Sequence, residues 1–443
     1  MKKPSMKSLI VLAFAASAVN AQSADLLQVY RDAMGFDAQY AAARAQLDAG
    51  REKLPQGRAG LLPTLGLTAS TTWNNLESTA RSAGATTRTA DYNSNGWSVA
   101  LSQPLFRWQN WVGYKQAELA VASAETQFAQ AGQDLILRVS QAYFDVLLAQ
   151  ETLATTQAQK IAIAQQLESA KRNFEVGTAT ITDTHEAQAR FDLADAQQIA
   201  AENDLAVKQQ TLLTLTGKEA EALKGLRPKV QIKPPQPDNI GQWVESAETG
   251  NLGVQLAQTN LEISRREIEK QRAGHYPTLD IVATHGNSGV GYSSTTGTGV
   301  DSKTSAIGLQ LAVPLFAGGA VSSRDREAVA LNEKARADLD NARRVAALSA
   351  RQSYFGVNAG LAQVRALEAG VASSQLAVES NKLGYEVGVR INIDVLNAQS
   401  QLFDTRQKLA KARLDTLISQ LRLKAATGSL SEDDLMALNA LLD

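Results

Sequence analysis

The 443-residue chain has no cysteine, three histidines, ten prolines, 5% aromatic residues and no run of 18 apolar residues. Each shortage excludes something. Without cysteine there is no disulfide, no thiolate metal centre and no lipid-modified cysteine at an export cleavage site. His185, His275 and His285 lack metal-ligand spacing, so each reads as a surface residue. The missing apolar run leaves no transmembrane helix, although it does not exclude membrane strands. A formal net charge of −1 provides no concentrated basic surface, which argues against a nucleic-acid partner. No histidine-based dyad or phosphate loop is present. Gly289-Val290-Gly291 and Gly297-Thr298-Gly299 open no helix, so the sequence reads as a non-enzyme that needs no cofactor and no metal.

The start of the chain predicts a secretory signal peptide over residues 1–21. Lys2, Lys3 and Lys7 lead, an apolar run from Leu9 to Ala16 follows, and Val19-Asn20-Ala21 offers small residues for cleavage. Export without a lipid anchor leaves the periplasm, the medium or an outer-membrane barrel as destinations.

The prolines that do occur are unevenly placed. None lies between Pro104 and Pro228, and none follows Pro314. A proline inside a helix costs about 3 kcal/mol, so these two tracts are where helices run unbroken. Within the first, Val139, Ala142, Val146, Ala149 and Leu153 alternate steps of three and four, the seam of a coiled coil.

The two tracts are copies. Phe174-Glu175-Val176-Gly177 followed by Thr182-Asp183 returns 211 residues later as Tyr385-Glu386-Val387-Gly388 followed by Ile393-Asp394. The same offset joins Tyr143-Phe144 to Tyr354-Phe355 and Thr216-Gly217 to Thr427-Gly428. A register held without insertion is what long packed helices demand, because each added residue turns the downstream face by about 100°. The pattern predicts helices over 113–173, 183–216, 242–272, 320–384 and 394–427, and an amphipathic segment from Phe36 to Arg58 that extends the shorter partner to the length of the longer one.

Between the helices, Leu65, Leu67, Ala69, Thr71 and Trp73 alternate with small or polar residues. Trp97, Val99 and Leu101, then Leu279, Ile281 and Ala283, then Ile307, Leu309, Leu311 and Val313 do the same. Period-two apolar patterning predicts four membrane strands, with 74–96 and 286–304 as exposed hairpin loops. Backbone left unpaired in lipid costs several kcal/mol per group, so strands cross a membrane only in a closed barrel. Four strands cannot close one, whereas three chains supply twelve strands and twelve helical columns. Trp73, Trp97, Trp108 and Trp111 lie at or beside the predicted strand ends, where an interfacial aromatic girdle belongs.

The domain plan that follows has a first repeat over 22–217, with strand pair 63–106 and helical hairpin 113–216, and a connector over 218–241. A second repeat over 242–428 has strand pair 277–316 and hairpin 320–427, and a C-terminal segment covers 429–443.

These motifs resemble the TolC family of outer-membrane channel-tunnels across the whole mature chain. The resemblance rests on the two Val-Gly-x6-Asp turns, on Pro63-Thr64-Leu65 and Pro277-Thr278-Leu279 entering strands, and on Pro104-Leu105-Phe106 and Pro314-Leu315-Phe316 leaving them. The ending Leu430-Ser431-Glu432-Asp433-Asp434-Leu435 is similar as well. It implies a mixed, mainly α homotrimer in the outer membrane. Its 12-stranded β-barrel, four strands per chain, sits in outer-membrane lipid and continues into a long periplasmic α-helical barrel of coiled-coil hairpins. A mixed α/β equatorial collar would hold the connector and the C-terminal residues. The implied partners are a periplasmic adaptor protein and an inner-membrane transporter of RND, ABC or MFS type, and the implied role is passive export of drugs, toxic molecules or secreted polypeptides.

At the hairpin turns, Gly177 and Gly388 follow long helices at positions where a left-handed residue ends a helix without steric penalty. Asp183-Thr184-His185-Glu186 fits a capping box starting at Asp183. The resemblance implies that Thr182, Asp183, Tyr385 and Arg390 form a periplasmic gate of hydrogen bonds and ion pairs between inner and outer hairpins. It further implies that Asp394 points into the narrowest part of the tunnel, as a ring of three carboxylates. The family commonly has a second aspartate one turn on, and here Asn397 stands there, so a weaker anionic constriction is expected.

Overall fold

The computed structural model describes residues 24–443 apart from 80, 82, 83, 85, 220, 221, 228, 229 and 294–296. The signal peptide expected over 1–21 and Pro228 of the connector lie outside the described residues.

Three short helices lead: α1 (Leu26–Phe36), α2 (Ala38–Arg51) and α3 (Lys53–Ala59). The sequence suggested one amphipathic segment from Phe36 to Arg58, but the helix breaks at Asp37. That residue is extended at φ −61°, ψ 119° and caps α2 by accepting from the Tyr40 amide at 2.7 Å. Strands β1 (Thr64–Thr79) and β2 (Thr87–Phe106) follow, then α4 (Trp108–Glu175) and α5 (Ile181–Thr216). After the connector the plan repeats, with α6 (Ile240–Gly250), α7 (Leu252–Arg272), a 3-10 turn at Ala273–His275, β3 (Thr278–Val290), β4 (Val300–Ala312), α8 (Ala320–Glu386) and α9 (Asn392–Ala426). A final helix, α10 (Glu432–Asn439), closes the described chain.

The strands form one open antiparallel sheet in the order β1-β2-β3-β4. Its two outer edges, β1 and β4, have no partner strand among the described residues. Leu65, Leu67 and Trp73 on β1 and Ile307, Leu309 and Leu311 on β4 are all exposed, as a lipid-facing band requires. From Leu65 to Trp73 the chain climbs about 26 Å at the usual rise per residue, close to the height of a membrane band.

The strands run further than their apolar pattern. Residues 74–79 and 87–96, expected as loop, remain paired from Asn74↔Tyr92 out to Thr79↔Thr87. Polar side chains hold this extension: Asn74 donates to Ser94 Oγ at 2.8 Å, Asn93 to Thr71 Oγ1 at 2.8 Å, and Thr79 shares a hydrogen bond with Thr87 at 2.8 Å. Asn, Ser and Thr read as loop formers because they satisfy backbone locally, yet here they bond across strands. In the second pair, β3 reaches Val290 and β4 begins at Val300.

Helix α4 has 68 residues and α8 has 67, each about 100 Å long. Both begin or end slightly beyond expectation, so Trp108 and Trp111 lie on the first turns of α4 just below β2. Of the predicted seam, Val139, Ala142, Val146 and Ala149 are buried and Leu153 is partly exposed. The main core sits about halfway along α4, where Leu135, Val139 and Tyr143 meet Leu26 and Tyr30 of α1, Leu212 of α5, Leu417 and Leu421 of α9 and Leu435 of α10.

The connector is tied to this level. Leu223 bridges Ala24 in parallel and Leu226 bridges Leu442 in antiparallel fashion. Tyr143 donates its hydroxyl to the Lys224 carbonyl at 2.8 Å, and its repeat counterpart Tyr354 donates to Asp238 Oδ1 at 2.6 Å. One duplicated tyrosine therefore anchors each end of the connector.

The duplication also explains how short helices stack on long hairpins. Gly217 ends α5 at φ 67° and Gly428 follows α9 at φ 74°. A Cβ on Gly217 would lie 2.6 Å from the Phe36 ring, and one on Gly428 would lie 2.1 Å from the Gly250 carbonyl oxygen. Glycine lets the end of α1 abut the end of α5, and the end of α6 abut the end of α9.

Candidate functional site

The free ends of the hairpins build the candidate site. The chain leaves α4 through Gly177 at φ 79° and leaves α8 through Gly388 at φ 81°, the left-handed positions expected for both. In the first turn, the amides of Thr178 and Ala179 both donate to the Asn173 carbonyl, at 2.8 and 3.2 Å. In the second, Val389 and Arg390 donate to the Gly384 carbonyl at 2.9 and 3.1 Å.

The capping box differs from the one expected. Thr180 is the N-cap of α5: its hydroxyl takes the Asp183 amide at 3.2 Å, and the Asp183 carboxylate takes the Thr180 amide at 2.9 Å. Asp183 is thus the third helical residue, and Glu186 is not the reaching-back acid. The Thr180-x-x-Asp183 spacing already carried this signal, three residues upstream of the box that was read.

Within one chain, Arg390 turns to its own helix and lies 3.7 Å from Asp394, with Nη1 facing Oδ2. Asp183 is occupied by Thr180, and Thr182 is exposed on the first turn of α5. The geometry therefore does not join Asp183 to Arg390 inside one chain. Tyr385 does bridge the hairpins, its hydroxyl accepting from Asn173 Nδ2 at 3.0 Å.

Two further bridges escaped the sequence. Gln166 donates to Asn392 Oδ1, and Arg190 donates to Asn397 Oδ1 at 3.0 Å. Below them, Leu396 of α9 packs against Ile163, Leu167, Ala187 and Ala194 of the first hairpin. Gln166 and Asn173 are seven residues apart on α4, and the buried Asn392 and Gln399 are seven apart on α9. Polar residues at heptad spacing in a seam otherwise made of Ala and Leu were the available signal. A polar cleft of about 810 Å³ opens beside these contacts, lined by Asn173, Asp183, Lys382, Tyr385, Arg390 and Asn392 among others. Val176, Ile181, Val387 and Val389 stay exposed at the extreme tip.

The sequence profile of the Outer membrane efflux protein family matches residues 29–218 and 243–429. The chain belongs to this family. It is 35% identical over 441 residues to Outer membrane protein TolC of Vibrio cholerae serotype O1, covering 98% of each chain. It is 33% identical over 439 residues to Proteases secretion protein PrtF of Dickeya chrysanthemi, covering 98% of this chain and 94% of that one. The solved outer membrane channel CmeC of Campylobacter jejuni superposes with a TM-score of 0.79 at 16% identity, over 94% of this chain and 90% of CmeC. This outer membrane efflux protein has the family's trimeric channel-tunnel fold, in which the open four-stranded sheet is one third of a barrel wall. The family comprises passive outer-membrane channels with a large periplasmic tunnel, not enzymes.

Proposed function

We propose that the chain forms the gated exit duct of an export assembly, passing drugs, small toxic molecules or secreted polypeptides from a periplasm-spanning machine to the exterior. Outward-apolar strands continuous with helices of 68 and 67 residues that end in a hydrogen-bonded tip are the observation that supports this most. A simple porin has no use for such columns. Residues 22–217 and 242–428 each supply one strand pair and one hairpin, while 218–241 and 429–443 belong to the equatorial level. Trp73, Trp108 and Trp111, all exposed in the single chain, suit an interfacial girdle at the two ends of the apolar band, whereas Trp97, expected at a strand end, pairs with Ala69 midway between Leu65 and Trp73 because β2 continues to Thr87.

Tyr385, with Thr182, Asp183 and Arg390 around it, holds the tip closed. An exposed polar contact is worth about 0 to 1 kcal/mol, and threefold repetition raises this to a few kcal/mol, a margin that docking can overcome. Exposed Val176, Ile181, Val387 and Val389 offer the docking surface for a periplasmic adaptor protein, which in turn engages an inner-membrane transporter of the RND, ABC or MFS type. The chain resembles TolC and the protease-secretion protein PrtF about equally, in line with a duct indifferent to cargo.

The cysteine-free sequence makes the test direct. Val387→Cys carries the only thiol, so a photoactivatable maleimide attached in cells reports what touches the tip. Capture of a periplasmic adaptor, together with loss of drug resistance or protein secretion when the chain is deleted, is expected. Capture of nothing but copies of this chain, with export intact after deletion, would refute the assignment.

A further inference from the structure

Arg190 stands on α5, nine residues past Ile181, and reaches across to the other hairpin, where its Nη2 donates to Asn397 Oδ1 at 3.0 Å. It borders a groove between α4, α5 and α9 whose walls include Ile163, Leu193, Ala194, Ser400 and Gln407. Asn397 follows Asp394 by three residues on α9, so the two side chains are neighbours on one helix face. Asp394 already has Arg390 at 3.7 Å. Along its own helix, Asp192 accepts from Gln188 at 2.9 Å and Asp195 accepts from Lys160, while Glu186, one turn before Arg190 on the same face, makes no ion pair with it within 4 Å among the described residues. On the α9 side, Asp404 is paired with Lys408 at 2.7 Å.

We infer that Arg190 is a closing and selectivity-setting residue of this channel, because it fastens the first hairpin to the second through Asn397 and places a fixed positive charge one helical turn from Asp394. The inference rests on the gate assignment made above. The identity of the partner matters. A carboxylate at position 397 would cancel the guanidinium charge, whereas an amide accepts the same hydrogen bond and leaves the charge in place. Around each Asp394 there are then two cationic groups, Arg390 at 3.7 Å and Arg190 hydrogen-bonded to the residue one turn further on. Three carboxylates in a ring make a weaker anionic filter when each carries that company. An amide paired with Arg therefore does two things at once: it keeps a bolt between hairpins, weaker than an ion pair would be, and it weakens the constriction's hold on cations.

The effect on closing is multiplied by three in the assembled channel. If each clasp contributes a modest net hydrogen bond, losing three shifts the ratio of open to closed about tenfold. Arg190→Gln removes the charge and ends two bonds short of the Nη2 that reaches Asn397, so it loses the clasp as well as the charge and probes both consequences without emptying the site.

The experiment uses full-length trimers in planar bilayers under a KCl gradient, comparing wild type with Arg190→Gln, Asn397→Asp, their combination, and Tyr385→Phe with Arg390→Ser. Arg190→Gln should raise the open fraction about tenfold and move the reversal potential toward cation selectivity. Asn397→Asp should tighten closing, and that tightening should vanish when position 190 is Gln. The combined variant should bind a trivalent blocking cation more strongly than wild type does. Wild-type open fraction and reversal potential in Arg190→Gln, while Tyr385→Phe with Arg390→Ser opens the channel, would remove Arg190 and leave the gate standing. No change in any variant would remove the gate assignment and the clasp with it. Tightening by Asn397→Asp that persists in Arg190→Gln would show that Asn397 acts without Arg190 and overturn the pairing.

Discussion

Arg138→Ser should destabilise the trimer sharply, and adding Asp37→Asn should restore most of the loss. Asp37 breaks α1 from α2 with its side chain only 5% exposed, and Arg138 of α4 donates to both carboxylate oxygens at 2.8 and 2.9 Å. Removing one partner of a buried pair costs about 3 to 5 kcal/mol because the other charge is stranded. The Tyr40 amide still donates to Asp37 and Arg138 is partly exposed, which places the expected loss near the lower end, about 3 kcal/mol per chain. The second repeat has solved the same joint without charge. At the equivalent place Asn251 accepts from the Gly253 and Val254 amides at 2.9 and 3.2 Å and donates to the Ala426 carbonyl at 2.9 Å. Ser349 occupies the place of Arg138 and lines the same cleft as Asn251. Asp37→Asn with Arg138→Ser copies that arrangement, retains the helix cap and should fall within about 1 kcal/mol of wild type. Thermal unfolding of detergent-extracted trimers, read by circular dichroism for the two single variants and the double, gives the coupling. A double variant melting below Arg138→Ser, or an Arg138→Ser protein melting like wild type, would refute the reasoning.

Acid should reveal the same pair. The Arg138 guanidinium hydrogen-bonded to Asp37 outweighs burial and holds the carboxyl below its ordinary value of 3.8. A depressed carboxyl stabilises the fold above that value and loses its contribution as pH falls through the lower folded value. Wild-type trimers should therefore lose stability below about pH 4 more steeply than the uncharged double variant, in melts recorded from pH 7 downward. At the junction of strands and helices, Arg107 donates to both oxygens of Asp280, at 2.8 and 2.6 Å. Arg107→Ala should lower trimer stability by about 2 to 3 kcal/mol, reduced from the fully buried case by the exposure of Arg107, and an unchanged melting temperature would count against it. Tyr385→Phe with Arg390→Ser should raise single-channel conductance, and unchanged conductance would take both residues out of gating. Asp394→Ala should lessen inhibition by multivalent cations, whereas equal inhibition would place the constriction elsewhere.

Much of the architecture was visible in the chain because long helices and membrane strands leave periodic traces. The unbroken register between Gly177 and Gly388 marked the hairpin turns, and the proline-free tracts contain α4, α5, α8 and α9, whose ends fall within about five residues of those expected. Strand length was underestimated where apolar alternation stops at Trp73 but pairing continues to Thr79, since Asn and Thr trade local turns for cross-strand bonds only when a neighbouring strand is present. The break at Asp37 was missed because its partner Arg138 is 101 residues away. At the tip the same cause operated in stronger form. Tyr385 was legible from its motif, but Asn173, Gln166, Asn392 and Arg190 acquire meaning only when the two hairpins lie side by side. Asp183 and Arg390 stand at the hairpin turns and face partners within their own hairpins, Thr180 and Asp394.

The unpartnered rims of β1 and β4 have a genetic consequence. Every subunit must offer a sound rim on each side for its neighbours to bond, so a single defective copy spoils the wall built by two healthy ones. In a cell making both kinds, intact pores should decline as the cube of the healthy share, and alleles that damage either rim should behave as dominant poisons. Lesions confined to one hairpin tip would leave the ring whole and be masked by the remaining copies.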